Sequence, residues 1–179
     1  MVDYTALIDK YSTSPELRDV LFLHSRQVAD MACGIVRRHP EFQADEAFVR
    51  EAAMLHDIGI VRCDAPGIHC HGAAPYICHG ILGSEILIAE GLPLHARVAE
   101  RHTGTGITEE AILRQNLPLP LRDYSPETIG EQIICYADKF FSKTRLTTTK
   151  TPEQALASLW KFGDESIARF QLWHEMFGA

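Results

Sequence analysis

The sequence lacks a long apolar segment, a basic run and a leader-like N-terminus. No apolar run approaches the roughly 20 residues that a membrane-spanning helix needs, so we expect no membrane partner. Residues 1–10 contain no basic region followed by an apolar one, which argues against a signal peptide. The net charge is −7, so we expect no nucleic-acid partner held through its backbone phosphates. A single nucleotide could still bind at a metal, because the metal supplies local positive charge.

Cysteine is sparse and is not arranged for cross-linking. The five cysteines are odd in number and form no C-x-x-C motif. They are Cys33, Cys63, Cys70, Cys78 and Cys135. This pattern favours reduced thiols in a cytoplasmic protein over a disulfide framework.

Helical periodicity dominates the chain, and no segment shows a convincing strand alternation. With 179 residues, of which 46% are hydrophobic, the chain is long enough to bury one core. Ser14 and Pro15 predict a helix start, and Pro40 predicts where that helix must already have ended. We therefore predict a single all-α domain over residues 1–179, built as a bundle of about six to eight helices.

Further helices are predicted from apolar periodicity and from start and stop signals. They cover about 44–57, 79–90, 93–102, 108–116, 125–145 and 152–176. Loops are expected at 60–78 and 117–125. Ser125-Pro126 and Thr151-Pro152 repeat the start signal of the first helix. The broadly apolar last helix either docks on its own domain or faces a second subunit in a homodimer.

Histidine and aspartate recur on the apolar faces of these helices. His56 and Asp57 stand together where an apolar helix meets Gly59, and His24 lies inside an apolar stripe. The remaining candidates are His79, His102 and Asp138. One such residue could be a hydrogen-bonded core residue, but the whole set would need many separate buried partners. A shared metal centre satisfies all of them at once.

The residue types also indicate which metals to expect. Histidine nitrogen and carboxylate oxygen suit one or two divalent transition metals, namely Fe, Mn, Co, Ni or Zn. The absence of thiolates from the set argues against a closed structural zinc site. A separate zinc site in the loop 60–78 is disfavoured, because its histidines and cysteines fit no usual zinc spacing. That loop could instead act as a lid that brings His69 or His71 to a substrate as a general acid.

The order of these residues resembles a known family. The series His24, His56-Asp57, Asp138 is similar to the H…HD…D signature of the HD-domain metal-dependent phosphohydrolases. The tetrad HDIG at 56–59 resembles the form that names one branch of the family. His79 and His102 resemble the two extra histidines of the branch with a dinuclear centre. The resemblance covers about residues 20–145, which would form the metal-binding core.

The resemblance implies a ligand set and a reaction. One metal would be held by His24, His56, Asp57 and Asp138. A second metal would be held by His79 and His102, with Asp57 as the bridge. Water between the cations would be acidified to hydroxide and would attack phosphorus, with His56 and Asp57 as the catalytic pair. The implied activity is hydrolysis of a small nucleotide or a related phosphomonoester or phosphoanhydride.

The sequence departs from better-characterised members of that family. Several of them carry a lysine three residues after the aspartate of the doublet, and Ile60 occupies that position here. Contacts to substrate phosphate are therefore assigned to Arg62, Arg101 or Lys139. The stretch 101–106 does not match the HHE…GYP signature of cyclic di-nucleotide phosphodiesterases, which disfavours that substrate. Length and a missing acidic motif disfavour a guanosine tetraphosphate hydrolase.

Two alternatives to a hydrolase stay open at this point. The same ligands could hold a metal or nucleotide for sensing, without turnover. A di-iron oxygenase of the same fold is a further alternative, which the missing lysine disfavours. Substrate identity is not specified by the ligands, because specificity in such folds comes from loops and pocket shape.

Overall fold

Nine α-helices occur in residues 2–178, the part of the chain that the computed structural model describes. In chain order they are α1 (Tyr4–Tyr11), α2 (Pro15–Arg38), α3 (Glu46–Leu55), α4 (His79–Ala89), α5 (Pro93–Arg101), α6 (Glu109–Gln115), α7 (Ile129–Asp138), α8 (Pro152–Ala157) and α9 (Asp164–Phe177). The predicted all-α class is confirmed. The helices outnumber the prediction, because α1 was not expected and two helices replace the predicted last one. None of the helices in this range is long and apolar enough to cross a bilayer.

The helix α2 begins and ends where the sequence predicts. The Ser14 side chain accepts the N–H of Leu17 at 3.1 Å, and a proline fills the first turn, where its missing N–H has no intrahelical partner to lose. The apolar side chains of its stripe that are fully buried are Leu17, Leu21, Val28 and Ile35, whereas Met31 is half-buried. His24 lies among them and is only 1% exposed. The longest helix therefore carries a polar group into the core.

The helix α7 is shorter than predicted at both ends. It starts at Ile129 because Thr128 and Glu131 form a capping box, which satisfies the first free N–H groups there instead of at residue 125. It ends at Asp138 instead of continuing to about residue 145. Residues 139–150 then fold back, and the N–H of Lys150 donates to the carbonyl of Phe140 at 2.8 Å. The misplaced end matters because this returning segment lies over the predicted metal site.

The predicted helix 152–176 is divided into α8 and α9. Its start is confirmed, since Thr151 and Gln154 form a capping box in front of α8. A short 3-10 turn follows, and Gly163 then has φ of 91°, a left-handed conformation that interrupts a right-handed helix. The apolar periodicity continues across the break, which is why the pattern alone reads as one helix.

The segment predicted as the irregular loop 60–78 contains short ordered elements. A two-stranded antiparallel ladder pairs β1 (Asp64–Ala65) with β2 (Cys70–His71). Three 3-10 turns surround the ladder. Strands of two residues are too short to produce an alternating sequence pattern, so the prediction of a chain without strands misses them.

The core lies between α2 and the helices packed on it. α2 packs mainly against α3 and α7, and α4 packs against α5. One cluster of buried apolar residues reaches from Ile8 in α1 to Phe177 at the end of α9. Each fully buried large aliphatic side chain of this kind stabilises the fold by about 1.5–3 kcal/mol relative to an exposed one. This packing brings the ends of four helices to the same place.

Gly59 brings the end of α3 against α4. A Cβ atom at Gly59 would lie 2.0 Å from the carbonyl oxygen of His79 and 2.3 Å from the backbone nitrogen of Gly83. Real Cβ atoms do not approach backbone this closely, so only glycine allows the contact. The glycine of the HDIG tetrad thus permits the close approach that sets His56 and Asp57 beside the start of α4.

We predict that Gly59→Ala destabilises the protein. The added methyl group meets backbone, which cannot rotate away, so the expected loss is roughly 1–3 kcal/mol or more of the free energy of unfolding. Gly67→Ala is the matched control, because its Cβ atom meets nothing within 4 Å. Denaturant unfolding monitored by circular dichroism measures both variants. Equal stability of the two variants would contradict the proposed reason for this glycine.

Candidate metal centre

The six side chains predicted as ligands meet at one buried place. They are His24, His56, Asp57, His79, His102 and Asp138, and they come from α2, α4, α7 and the residues that follow α3 and α5. Their ligand atoms form two groups, within each of which all atoms lie within 4.8 Å of one another. The first group is His24, His56, Asp57 and Asp138, and the second is Asp57, His79 and His102. Asp57 therefore belongs to both groups.

The Asp57 carboxylate turns one oxygen toward each group. Its Oδ2 is 3.0 Å from Nε2 of His24 and 3.0 Å from Nε2 of His56. Its Oδ1 is 3.5 Å from Nε2 of His79 and 3.3 Å from Nε2 of His102. The side chain is fully buried. A carboxylate placed between two sets of nitrogen donors can bridge two cations.

Three of the histidines are oriented by their own helical turns. In each case Nδ1 hydrogen-bonds the carbonyl oxygen three residues earlier: His56 to Ala53 at 2.6 Å, His79 to Tyr76 at 2.6 Å, and His102 to Ala99 at 2.7 Å. A carbonyl oxygen can only accept, so Nδ1 carries the proton. Nε2 of each ring is thereby directed at the centre, where it can bind a metal through its lone pair once it carries no proton. Such bonds fix the tautomer and orientation of metal-binding histidines.

The donor atoms are arranged for a cation. The Nε2 atoms of His79 and His102 are 3.0 Å apart, so the lone pairs of the neutral rings face each other. In residues 2–178, Nε2 of His56 and both oxygens of Asp57 are buried without a partner in hydrogen-bond geometry, although Oδ2 of Asp57 forms an ion pair with Lys143. Buried polar atoms without hydrogen bonds are costly, and a divalent metal satisfies nitrogen and oxygen donors together. The residues therefore fit a transition metal.

The charges at the centre follow from burial and close contacts. Burial would raise the pKa of Asp57, but the positive charges of His56 and Lys143 outweigh it and hold that pKa well below its usual range. Burial, together with the neighbouring His102, lowers the pKa of His79 to about 3. Burial also lowers the pKa of His102. These two imidazoles are neutral at pH 7, which is the form that binds metals.

His56 and Asp138 carry opposite charges in the metal-free protein. Burial would lower the pKa of His56, but Asp57 and Asp138 outweigh it and raise that pKa to about 9. Burial would raise the pKa of Asp138, but Lys139 and His24 outweigh it and lower it. A metal bound at Nε2 of His56 must displace a proton, as metals generally do at protonated ligands.

Lys143 is a residue of the site that the sequence prediction missed. Its Nζ lies 2.6 Å from Oδ2 of Asp57, and the side chain is only 13% exposed. Burial would lower its pKa, but Asp57 outweighs it and raises that pKa, so the side chain is cationic. The predicted helix to residue 145 hid this contact, because the lysine reaches the centre only when α7 ends at Asp138. The sequence did contain one signal against the long predicted helix: Thr128 and Glu131 have the spacing of a capping box, which indicates that α7 starts at Ile129.

The three residues predicted to contact phosphate lie in different settings. Arg62 is on the surface and pairs with Glu85 at 3.1 Å. Arg101 donates to the carbonyl of Ser125 at 2.7 Å, away from the ligands. Only Lys139 lies beside the centre, 2.7 Å from Oδ2 of Asp138. The structure thus brings one of the three predicted cations to the ligands.

A cavity opens onto the ligands. It has a volume of about 200 Å³ and reaches His79, His102 and Asp138 at its base. A second cavity of about 510 Å³ shares part of its wall with the first and continues toward the loop 60–78. The residues common to both are Tyr76, Phe141, Lys143, Lys150 and Lys161. His69 and His71 are exposed and line neither cavity.

A family comparison agrees with this geometry. The model of the HD domain matches residues 21–142, about two thirds of the chain. The chain belongs to the HD domain family. The matched segment contains all six side chains of the HD centre. The resemblance seen in the sequence is therefore confirmed at the level of the family.

Relatives of this HD protein among curated proteins are longer than the chain. It is 35% identical over 133 residues to a protein of Picrophilus torridus named tRNA (cytidine(56)-2'-O)-methyltransferase, covering 74% of this chain and 34% of that protein. The protein of the same name from Thermoplasma volcanium is 34% identical, with 76% and 35% covered. An uncharacterized protein of Methanocaldococcus jannaschii is 39% identical over 105 residues, with 58% and 54% covered. The chain thus spans about a third to a half of these relatives.

Solved HD structures share the fold. The HD domain of the L. monocytogenes phosphodiesterase PgpH superposes with a TM-score of 0.53 at 19% identity, covering 93% of this chain and 86% of that one. The same domain in complex with cyclic-di-AMP gives 0.54 at 21% identity, with 92% and 84% covered. At these identities the likeness shows the helical fold alone.

We predict that Asp57→Asn removes most of the bound metal, because it neutralises the one carboxylate shared by both ligand groups. His79→Ala should remove about one ion and leave the group around His24 occupied, since structural and catalytic sites need at least three protein ligands. His71→Ala is the control, because it removes an exposed histidine outside the centre. Inductively coupled plasma mass spectrometry of the purified proteins measures the metal content. Wild-type metal content in Asp57→Asn would contradict the assignment.

Proposed function

We propose that this HD protein is a metal-dependent phosphohydrolase that acts on a small nucleotide or a related phosphomonoester or phosphoanhydride. The observation that carries the proposal is the Asp57 carboxylate, which faces two groups of histidines beside a cavity that His79, His102 and Asp138 line. Lysines line the same cavity, so the site combines metal ligands with cations. That combination suits a substrate whose reacting group is a phosphoryl group.

The ligands divide between two metal positions in this proposal. One position would be formed by His24, His56, Asp57 and Asp138, and the other by His79, His102 and the shared Asp57. Divalent cations supply Lewis acidity toward water and toward phosphoryl oxygens. The backbone carbonyls behind three of the histidines keep Nε2 directed at the centre, so the protein does not have to reorganise these rings during the reaction.

Lys143 and Lys139 supply fixed positive charge next to the reacting group. Lys143 lies against Asp57, and Lys139 lies against Asp138 while donating to the carbonyl of His102 at 3.1 Å. Both ammonium groups line the cavity and are largely buried. Charge that develops on phosphoryl oxygens is stabilised more strongly by preorganised, buried donors than by solvent. We therefore assign to Lys143 the phosphate contact that a lysine at the position of Ile60 would make in other members of the family.

The methyltransferase activity in the names of two relatives does not enter the proposal. About two thirds of the length of those proteins lies outside the match, so their activity and any tRNA partner cannot be assigned to the matched part. A centre of histidines and aspartates with a shared carboxylate is chemistry for hydrolysis rather than for methyl transfer.

We predict hydrolysis of at least one nucleotide or simple phosphate ester by the purified protein with Mn²⁺ or Co²⁺ added. Release of inorganic phosphate or of a shorter nucleotide measures it. Asp57→Asn should abolish turnover, and Arg62→Gln, which removes a surface charge, should leave turnover unchanged. Bound metal without hydrolysis of any tested phosphate would contradict the proposal and favour a sensor. Oxygen consumption with Fe²⁺ would instead favour an oxygenase.

Lys143→Gln tests the assigned role of that lysine. It removes the charge but keeps a similar length, so we expect kcat to fall on the order of 100-fold, as for other lost charge-stabilising donors. Metal content should stay at the wild-type level, because Lys143 belongs to neither group of ligands. The same Arg62→Gln variant is the control for the loss of one positive charge. An unchanged kcat in Lys143→Gln would contradict the role.

A further inference from the structure

Positive charge extends from the metal centre into the second cavity. Lys139 and Lys143 lie beside the ligands, and Lys150 and Lys161 line both cavities. The chain as a whole is acidic, with 24 aspartates and glutamates against 17 lysines and arginines. Four lysines around one opening therefore run against the overall charge and indicate an anionic ligand.

Lys150 and Lys161 differ from Lys139 and Lys143 because neither forms an ion pair with a carboxylate. The inner lysines pair with Asp57 and Asp138 at 2.6 and 2.7 Å. In the described part of the chain, neither Lys150 nor Lys161 has a carboxylate oxygen within ion-pair distance. Instead, Nζ of Lys150 donates to the carbonyl of Lys139 at 3.2 Å. Two cations are thus available to a ligand where the two cavities meet.

The position of Lys150 has an energetic cost. The side chain is half-buried, and burial lowers its pKa; Asp138 opposes this lowering, whereas Lys139, Lys143 and Lys161 add to it. A partly buried cation without an ion pair, near three other cations, is unfavourable in the free protein. A bound anion would relieve this repulsion, so the arrangement is better suited to a liganded state than to an empty one.

We propose that the substrate carries two phosphate groups close together, as in a diphosphate. One phosphate would lie at the metal centre, and Lys150 and Lys161 would hold the second. This inference rests on the proposed function and narrows it from phosphate compounds in general to phosphoanhydrides. The apolar wall of the second cavity, formed in part by Ile68 and Phe141, leaves room for the organic part of such a molecule.

The reaction on such a substrate balances with water alone. The oxygen of one water joins the phosphorus at the metal centre, and the bridging P–O bond of the anhydride breaks. The electron pair of that bond leaves with the phosphate held by Lys150 and Lys161. The protons of the water pass to the two phosphate products or to solvent.

Binding to metal-free protein tests the inference separately from turnover. After removal of metal by a chelator, inorganic pyrophosphate and inorganic phosphate are titrated by calorimetry. We expect pyrophosphate to bind at least about tenfold more tightly, since charge-assisted hydrogen bonds to a second phosphate contribute about 1.4 kcal/mol or more. The double variant Lys150→Gln, Lys161→Gln should lose this preference. The control Lys10→Gln, Arg62→Gln removes the same charge at surface ion pairs and should keep it.

Kinetics of the metal-loaded protein provide the second measurement. The double variant at Lys150 and Lys161 should raise KM for adenosine diphosphate about tenfold and leave KM for adenosine monophosphate unchanged. The inference would be overturned if the wild type and the double variant bound pyrophosphate with the same affinity. It would also be overturned if KM rose by the same factor for the diphosphate and the monophosphate. Hydrolysis of monophosphates alone would overturn it while leaving the proposed function intact. Absence of all hydrolysis with the pyrophosphate preference retained would instead count against the proposed function.

Discussion

The structure depends on one buried carboxylate. Asp57 has no exposed surface, and its two oxygens face opposite sets of imidazoles while Lys143 lies against one of them. A carboxylate so placed is costly unless several positive or metal-bound groups surround it. The fold meets that demand by bringing side chains from α2, α4 and α7, and from the residues that follow α3 and α5, to the same place. The arrangement of the core can therefore be understood as the support of this one side chain.

Backbone contact, more than side-chain packing, sets the position of that carboxylate. Gly59 lets the chain after α3 touch the backbone of α4, so Asp57 and His79 are held at a distance fixed by main-chain atoms. Three of the four histidine rings are in turn held by backbone carbonyls three residues earlier in the chain. Main-chain atoms move less than long side chains, so these contacts keep the ligands in fixed positions. A preorganised centre requires ligands that are held in this way.

The six ligand candidates could be predicted from the sequence, and so could Lys139 beside Asp138, whereas Lys143 could not. His24 and the His56-Asp57 pair stand at helical spacing within apolar stripes, and a buried polar group on such a stripe is visible in the sequence alone. Lys143 depends on where α7 ends, and helix ends are set by capping and tertiary contacts that periodicity does not report. Arg62 was chosen for its closeness in sequence to the doublet, but it pairs with Glu85 on the surface. Closeness of Arg62 to the doublet in sequence therefore did not bring its side chain to the ligands.

Because the chain folds back after Asp138, substitutions of the ligands and substitutions in the segment 139–150 have different consequences. The ligands stand on helices whose packing is shared with the whole core, so altering them alters the fold. Lys143 and Lys150 stand on an irregular segment that contacts the centre from outside. Substitutions in that segment can therefore change the charge around the centre while the ligands keep their positions. The helices fix the donor atoms, and the segment 139–150 sets the electrostatic surroundings in which those atoms act.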